Sequence, residues 1–135
     1  MIGNTTGDIT VRESEVYANQ KNGLKLWSGG AVINSIVHSN GLSGLLIIYD
    51  SNYELVNTLV ASNGQQNRDY GMTAGYPQEK GLAGNDNIKL TIFNSIFAFN
   101  GPGGAPTGVY VGKGVKLLSD NNIWYSRVDE EIFLD

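Results

Sequence analysis

The octet INSIVHSN, Ile33 to Asn40, returns as VNTLVASN, Val56 to Asn63, and again as FNSIFAFN, Phe93 to Asn100. Two weaker copies extend the series: RESEVYAN, Arg12 to Asn19, carries Glu13 where the others have Asn, and SDNNIWYSR, Ser119 to Arg127, keeps Asn121. Five copies in 135 residues leave room for little but a stack of equivalent units, each burying the apolar face of its neighbour.

Aligned on the Asn column, the second residue of the first four copies and the third of the last, they give Glu13, Asn34, Asn57, Asn94 and Asn121, spaced 21, 23, 37 and 27 residues apart. The base period is about 22 residues, and the longer intervals mark insertions. A second anchor, Gly followed by an aliphatic residue, recurs at Gly23-Leu24, Gly44-Leu45, Gly71-Met72 and Gly108-Val109. It lies 10, 10, 14 and 14 residues past the column, so the later units take up extra length in the loop before it. Each unit reads as three short strands, such as Val32-Ile33, Ser35 to Ser39 and Leu45 to Ile48, too short and too β-branched for helices. Eighteen glycines against three prolines supply the tight turns between them. Asn at the fixed column suits a turn residue at positive φ, and stacked copies of it allow a ladder of side-chain amides.

This pattern of short strand, Asn, Ser or Thr, two aliphatics, and an Asn-rich turn leading to Gly-aliphatic resembles the right-handed parallel β-helix proteins of the pectate-lyase-like superfamily. The resemblance covers about Ile9 to Val128. It implies an all-β, single-stranded solenoid of about five coils with three short strands each. It also suggests a secreted or cell-surface protein, although Met1 to Thr6 lacks the basic start and apolar middle of a signal peptide and the compartment stays open.

The inward register follows from the columns. Val16, Val37, Val60, Phe97 and Trp124 are uniformly apolar, whereas the adjacent column reads Glu15, Ile36, Leu59, Ile96 and Ile123. An unpaired Glu15 resists burial, which turns the first column inward together with Ser14, Ser35, Thr58, Ser95 and Asn122. Ile36, Leu59, Ile96 and Ile123 then form an outward apolar stripe that needs a cover, either a loop or a second copy in a homo-oligomer. A register shifted by one would make the stripe core instead, and both registers stay open. The chain reads as one domain, 1–135, with short tails at 1–8 and 129–135, the latter acidic. Neither tail is long enough for a substantial cap. Either the charges of Arg12, Glu13, Glu15 and the acidic tail blunt the strand edges, or the chain is a fragment of a longer β-helix, or its ends stack on another subunit.

Composition narrows the function. A net charge of −4 without any Lys/Arg cluster argues against nucleic-acid binding, no run approaches the ~18 apolar residues of a membrane span, and zero cysteine excludes disulfides and thiolate chemistry. In the enzymes resembled, substrate lies along the strands that follow the Gly anchors. Here the outward positions of those strands are Lys25, Leu46, Thr73 and Tyr110, one cation and no acid, so no family catalytic residue carries over. The insertion loops, Asn63 to Asp69 and Ala74 to Asn87, flank one strand and gather Arg68, Asp69, Tyr70, Tyr76, Glu79 and Lys80, aromatic platforms and charged hydrogen-bonders suited to a polysaccharide. His38 is the lone histidine, with a surface or stacking role expected, and no metal or cofactor is assigned. The expectation is a β-helix module that acts by carbohydrate binding or homo-oligomeric assembly without catalysis. The alternative is a polysaccharide lyase or glycoside hydrolase with its site at loops 63–70 and 74–87.

Overall fold

The computed structural model describes residues 7–65, 70–75, 87–101 and 108–125, and the backbone of a strand at 133–134. The described chain is all strand and turn, sorted into three parallel sheets. The first holds β1 (Ile9–Arg12), β4 (Gly30–Ile33), β7 (Asn52–Val56), β10 (Lys89–Phe93) and β13 (Lys116–Asp120), hydrogen-bonded in that order. The second holds β2 (Glu15–Tyr17), β5 (Ile36–His38), β8 (Leu59–Ala61), β11 (Ile96–Ala98) and β14 (Ile123–Tyr125). The third holds β3 (Leu24–Leu26), β6 (Leu45–Ile47), β9 (Met72–Ala74), β12 (Val109–Val111) and β15 (Phe133–Leu134). Each sheet takes every third strand, an arrangement consistent with a parallel β-solenoid. The last strand falls within the stretch read above as an acidic tail and pairs with β12.

The sequence columns are the ladders of this stack. Glu15, Ile36, Leu59, Ile96 and Ile123 are direct partners, and so are Val16, Val37, Val60, Phe97 and Trp124. Val37, Val60 and Phe97 are fully buried, which settles the register as the column argument had it. Phe97 and Trp124 stack along the column with centroids 4.5 Å apart. Leu24, Leu45, Leu55, Ile92 and their neighbours complete one continuous core, each such side chain contributing roughly 1.5–3 kcal/mol. Tyr53 is the largest polar-tipped member. Its hydroxyl donates to the Tyr49 carbonyl at 2.8 Å, and burial pushes its pKa up to about 12.

Two kinds of corner keep the strands short. At the first, Glu13, Asn34, Asn57, Asn94 and Asn121 all adopt φ near +50°, the left-handed conformation expected of that column. The next residue turns inward and lends its side chain to the layer before. The Ser14 N–H donates to Ser35 Oγ (3.2 Å), the Thr58 N–H to Ser95 Oγ (3.1 Å) and the Ser95 N–H to Asn122 Oδ1 (2.8 Å). The second corner repeats the device. Ala18, Ser39, Ser62 and Phe99 take positive φ, and the Asn after each joins a buried amide ladder. Nδ2 of Asn19, Asn40 and Asn63 donates to Oδ1 of Asn40, Asn63 and Asn100 at 2.8, 2.8 and 3.1 Å.

The continuous Asn ladder therefore forms one corner away from the column expected to carry it. There, among the described residues, only Asn57 Nδ2 to Asn34 Oδ1 (3.0 Å) joins two amides. The reason is burial: Asn40, Asn63 and Asn100 are enclosed and must pair their amides, whereas Asn34, Asn57 and Asn94 face solvent. The ladder also explains the glycine anchor. A Cβ on Gly44 would sit 2.6 Å from Asn63 Nδ2 and 2.8 Å from the Gly71 carbonyl, so the third sheet can pass the ladder only as bare backbone.

Candidate functional site

The second sheet turns its outer surface to solvent across all five strands, and its sequence makes that surface apolar. Ile36 is 41 % exposed, Ile96 40 % and Ile123 58 %, and Leu59 between them is half-buried. Glu15 closes the column at one end. On the same strands, Tyr17 and Tyr125 are exposed at opposite ends of the outward column that also holds His38, Ala61 and Ala98. The stripe foreseen from the alternation thus exists as a flat, open face, because residues two apart on a strand share a side of the sheet.

His38 takes the stacking role expected of it. Its ring lies parallel to Tyr17, centroids 5.3 Å apart with 5° between planes, while Nε2 meets Glu15 Oε1 at 2.9 Å and Nδ1 meets Ser39 Oγ at 3.0 Å. Both partners are solvent-accessible, so this contact holds the imidazole in place and adds little stability.

Beside the Tyr17 end, at the second corner, an open cleft of about 350 Å³ is lined by Asn19, Gln20, Asn40, Gly41, Ser62 and Gln65 among others. Its polar groups are uncharged amides and hydroxyls. Gln65, at its edge, is held to the next layer by donating from Nε2 to the Phe99 carbonyl at 3.2 Å. Nothing in the spacing of these residues singled them out beforehand, because the cleft is made by successive layers stacking corner on corner.

The third sheet departs from its expected outward row. Lys25 and Leu46 are partly exposed, but Thr73 and Tyr110 are buried at 7 % each. The Thr73 hydroxyl lies 3.1 Å from Ser43 Oγ, and the Tyr110 ring packs on Tyr70 at 5.3 Å between centroids. A row covered in this way offers no open groove at those two layers. Toward the β3 end of the same sheet, Lys25 Nζ sits 4.3 Å over the Trp27 ring, which in turn packs on the exposed Tyr49 at 5.3 Å. Trp27 Nε1 is buried without a hydrogen-bond partner.

Of the expected ligand residues, only Tyr70 lies among the described residues, and its ring is engaged with Tyr110. Arg68, Asp69, Tyr76, Glu79 and Lys80 lie outside them. No group of three or more His, Asp or Glu side chains placed to hold a metal ion occurs among the described residues. Among the described residues, no helix is long and apolar enough to cross a membrane. The chain matches no protein-family model, no curated protein and no solved structure.

Proposed function

We propose that the chain is a right-handed parallel β-helix module of five coils, related in architecture to the pectate-lyase-like proteins, that works without catalysis by homotypic assembly through the outer face of its second sheet. Right-handedness is supported by the strong chiral preference of connections between parallel strands in one sheet. The observation carrying the assembly is the aliphatic stripe of Ile36, Leu59, Ile96 and Ile123, flanked by Tyr17 and Tyr125. A flat apolar face of this extent on a chain with net charge −4 favours a partner surface equally apolar, and a second copy supplies one.

The test is a double variant, Ile36→Lys with Leu59→Glu. Together with Glu15 it gives the column alternating charge, so cross-strand pairing within the sheet is maintained while the face becomes polar. Light scattering after size exclusion should show the parent protein larger than the variant, with equal circular dichroism. Equal masses for the two proteins refute the reading.

A second reading, binding of a neutral polysaccharide, is favoured by the amide-lined cleft beside the exposed Tyr17 ring. Uncharged hydrogen-bonding groups next to an aromatic platform match the hydroxyls and the apolar face of a sugar. Affinity electrophoresis in gels containing neutral and acidic polysaccharides tests it. Retardation by a neutral polymer that Tyr17→Ala and Gln65→Ala abolish is the expected result, and unretarded migration in every gel refutes it. Release of reducing sugar or of unsaturated product would instead establish the lyase or hydrolase alternative.

A further inference from the structure

We propose that the two ends of the stack are complementary to each other, and that the protein self-associates head to tail, with β1 and β2 of one copy adding to the terminal strands β13 and β14 of another. The surfaces involved are separate from the lateral stripe, so this proposal stands or falls apart from that one.

The first observation is that both ends expose what the layers inside them bury. Leu90 and Phe97 are 1 % exposed, whereas Leu117 and Trp124, their partners one layer out, are half-buried. At the other end Ile9 and Val16, also inward residues, are half-buried as well. Leu118 on the last layer is 59 % exposed. β13 and β14 are the terminal strands of their sheets, as β1 and β2 are at the opposite end, and terminal strands carry backbone donors and acceptors that an added strand satisfies.

The second observation is charge. Following the register through the first sheet, Arg12, Ile33, Val56, Phe93 and Asp120 share one outward column. One residue before Ile9, Asp8 falls in the column of Gly29, Asn52, Lys89 and Lys116. Each column thus begins and ends on opposite charges. Adding one copy to the next in continuous register brings Arg12 against Asp120 and Asp8 against Lys116, the latter relieving two adjacent lysines. Between these pairs Ile9 meets Leu117 and Thr10 meets Leu118, and in the second sheet Val16 meets Trp124 and Tyr17 meets Tyr125. Neither Arg12 nor Lys116 has a carboxylate partner among the described residues.

The hydrogen bonds point the same way. Within the stack the backbone N–H of each first-corner Asn donates to the carbonyl before the corner of the following layer: Asn34 to Val56, Asn57 to Phe93, Asn94 to Asp120. Asn121 is the next donor, and its acceptor in a second copy would be the Arg12 carbonyl. Without that copy, the Asp120 carboxylate folds back and stands in, accepting from the Asn121 N–H at 2.9 Å and from its Nδ2 at 3.3 Å. Docking hands the N–H to the carbonyl and releases the carboxylate to the incoming guanidinium. Ser14 Oγ would likewise serve the Asn122 N–H, as Ser35 Oγ serves Ser14. Contact between unlike ends does not close on itself, so the product is an open series of copies, each adding five strand layers, about 24 Å.

The experiment is sedimentation velocity over a range of concentrations, with the Ile36→Lys, Leu59→Glu protein as background so that only end-on contact remains. In that background Asp120→Arg, or Arg12→Asp, places like charges together and should weaken association roughly fivefold, more at low salt than at high. Combining the two restores opposite charges and should return the affinity to within about twofold of the background. Arg12, Ile36 and Asp120 are exposed and Leu59 is half-buried, and circular dichroism confirms that each variant is folded. A background protein that stays monomeric at every concentration overturns the proposal while leaving the lateral stripe untouched. Single charge reversals without effect, or a double reversal that fails to rescue, overturn it too.

Discussion

Replacing Asn63 by alanine tests the buried amide ladder at its centre. The side chain is completely enclosed and makes four hydrogen bonds. It accepts from the Asn40 backbone N–H at 3.1 Å and from Asn40 Nδ2 at 2.8 Å, and donates to the Val37 carbonyl at 2.9 Å and to Asn100 Oδ1 at 3.1 Å. Asn40 Nδ2 keeps the Val16 and His38 carbonyls and Asn100 Oδ1 keeps the Asn63 N–H, so those two groups lose little. The Asn40 N–H and the Val37 carbonyl lose their amide partner in an enclosed site, at about 1–3 kcal/mol each. With a small cavity added, Asn63→Ala should lose roughly 3–5 kcal/mol, a large share of a typical domain's stability. Asn19→Ala is the control. It removes the outermost rung, where the side chain is exposed and makes two bonds, and should lose about 1 kcal/mol or less. Urea unfolding followed by circular dichroism gives both values from the midpoints at common slope. Equal losses, or an Asn63→Ala within about 0.5 kcal/mol of the parent, would show that the ladder does not hold the layers together.

Three further outcomes follow from neighbouring features. Gly44→Ala drives a Cβ into Asn63 and the Gly71 carbonyl and should lose about 1–3 kcal/mol, whereas Gly108→Ala, with nothing within 4 Å of its Cβ, should be neutral or gain up to about 1 kcal/mol in the same urea assay. Ala18 holds φ at +54° without a side chain suited to it, so Ala18→Asn should raise the urea midpoint by an amount worth about 0.5–1 kcal/mol. Tyr53 ionises near 10.0 when unfolded and near 12 when folded, so its contribution is intact below pH 10 and fades as pH rises from 10 to 12. The loss totals on the order of 3 kcal/mol, and Tyr53→Phe should show a correspondingly flatter decline in stability across that window.

Much of this architecture is written in the columns. Glu15 in an otherwise aliphatic column argued for one side of the second sheet facing out, a choice that the burial of Val37, Val60 and Phe97 decides, and Asn at the first corner pointed to its positive φ. The second corner was harder to read because Ala18, Ser39, Ser62 and Phe99 share no preference for the left-handed region; the stack imposes it on them. The clue lay one residue later, in the Asn that ends each of the first four copies, and the Gly anchor was its structural counterpart. Thr73 and Tyr110 illustrate a different gap. Strand alternation correctly assigns them to the outer side, but their cover comes from Ser43 and Tyr70 in neighbouring segments, a tertiary contact that no local period records. The candidate ligand set was legible only as composition in two insertions, where no repeat constrains geometry, and of its members Tyr70 alone lies among the described residues.

The claim that unites the lateral face and the stack ends is that this chain acts by meeting copies of itself. Its solution mass, measured by light scattering from low to high concentration at low salt, tests that claim most directly. A mass above the 14.6 kDa of one chain that climbs with concentration is the predicted result. A mass fixed at 14.6 kDa throughout would contradict it.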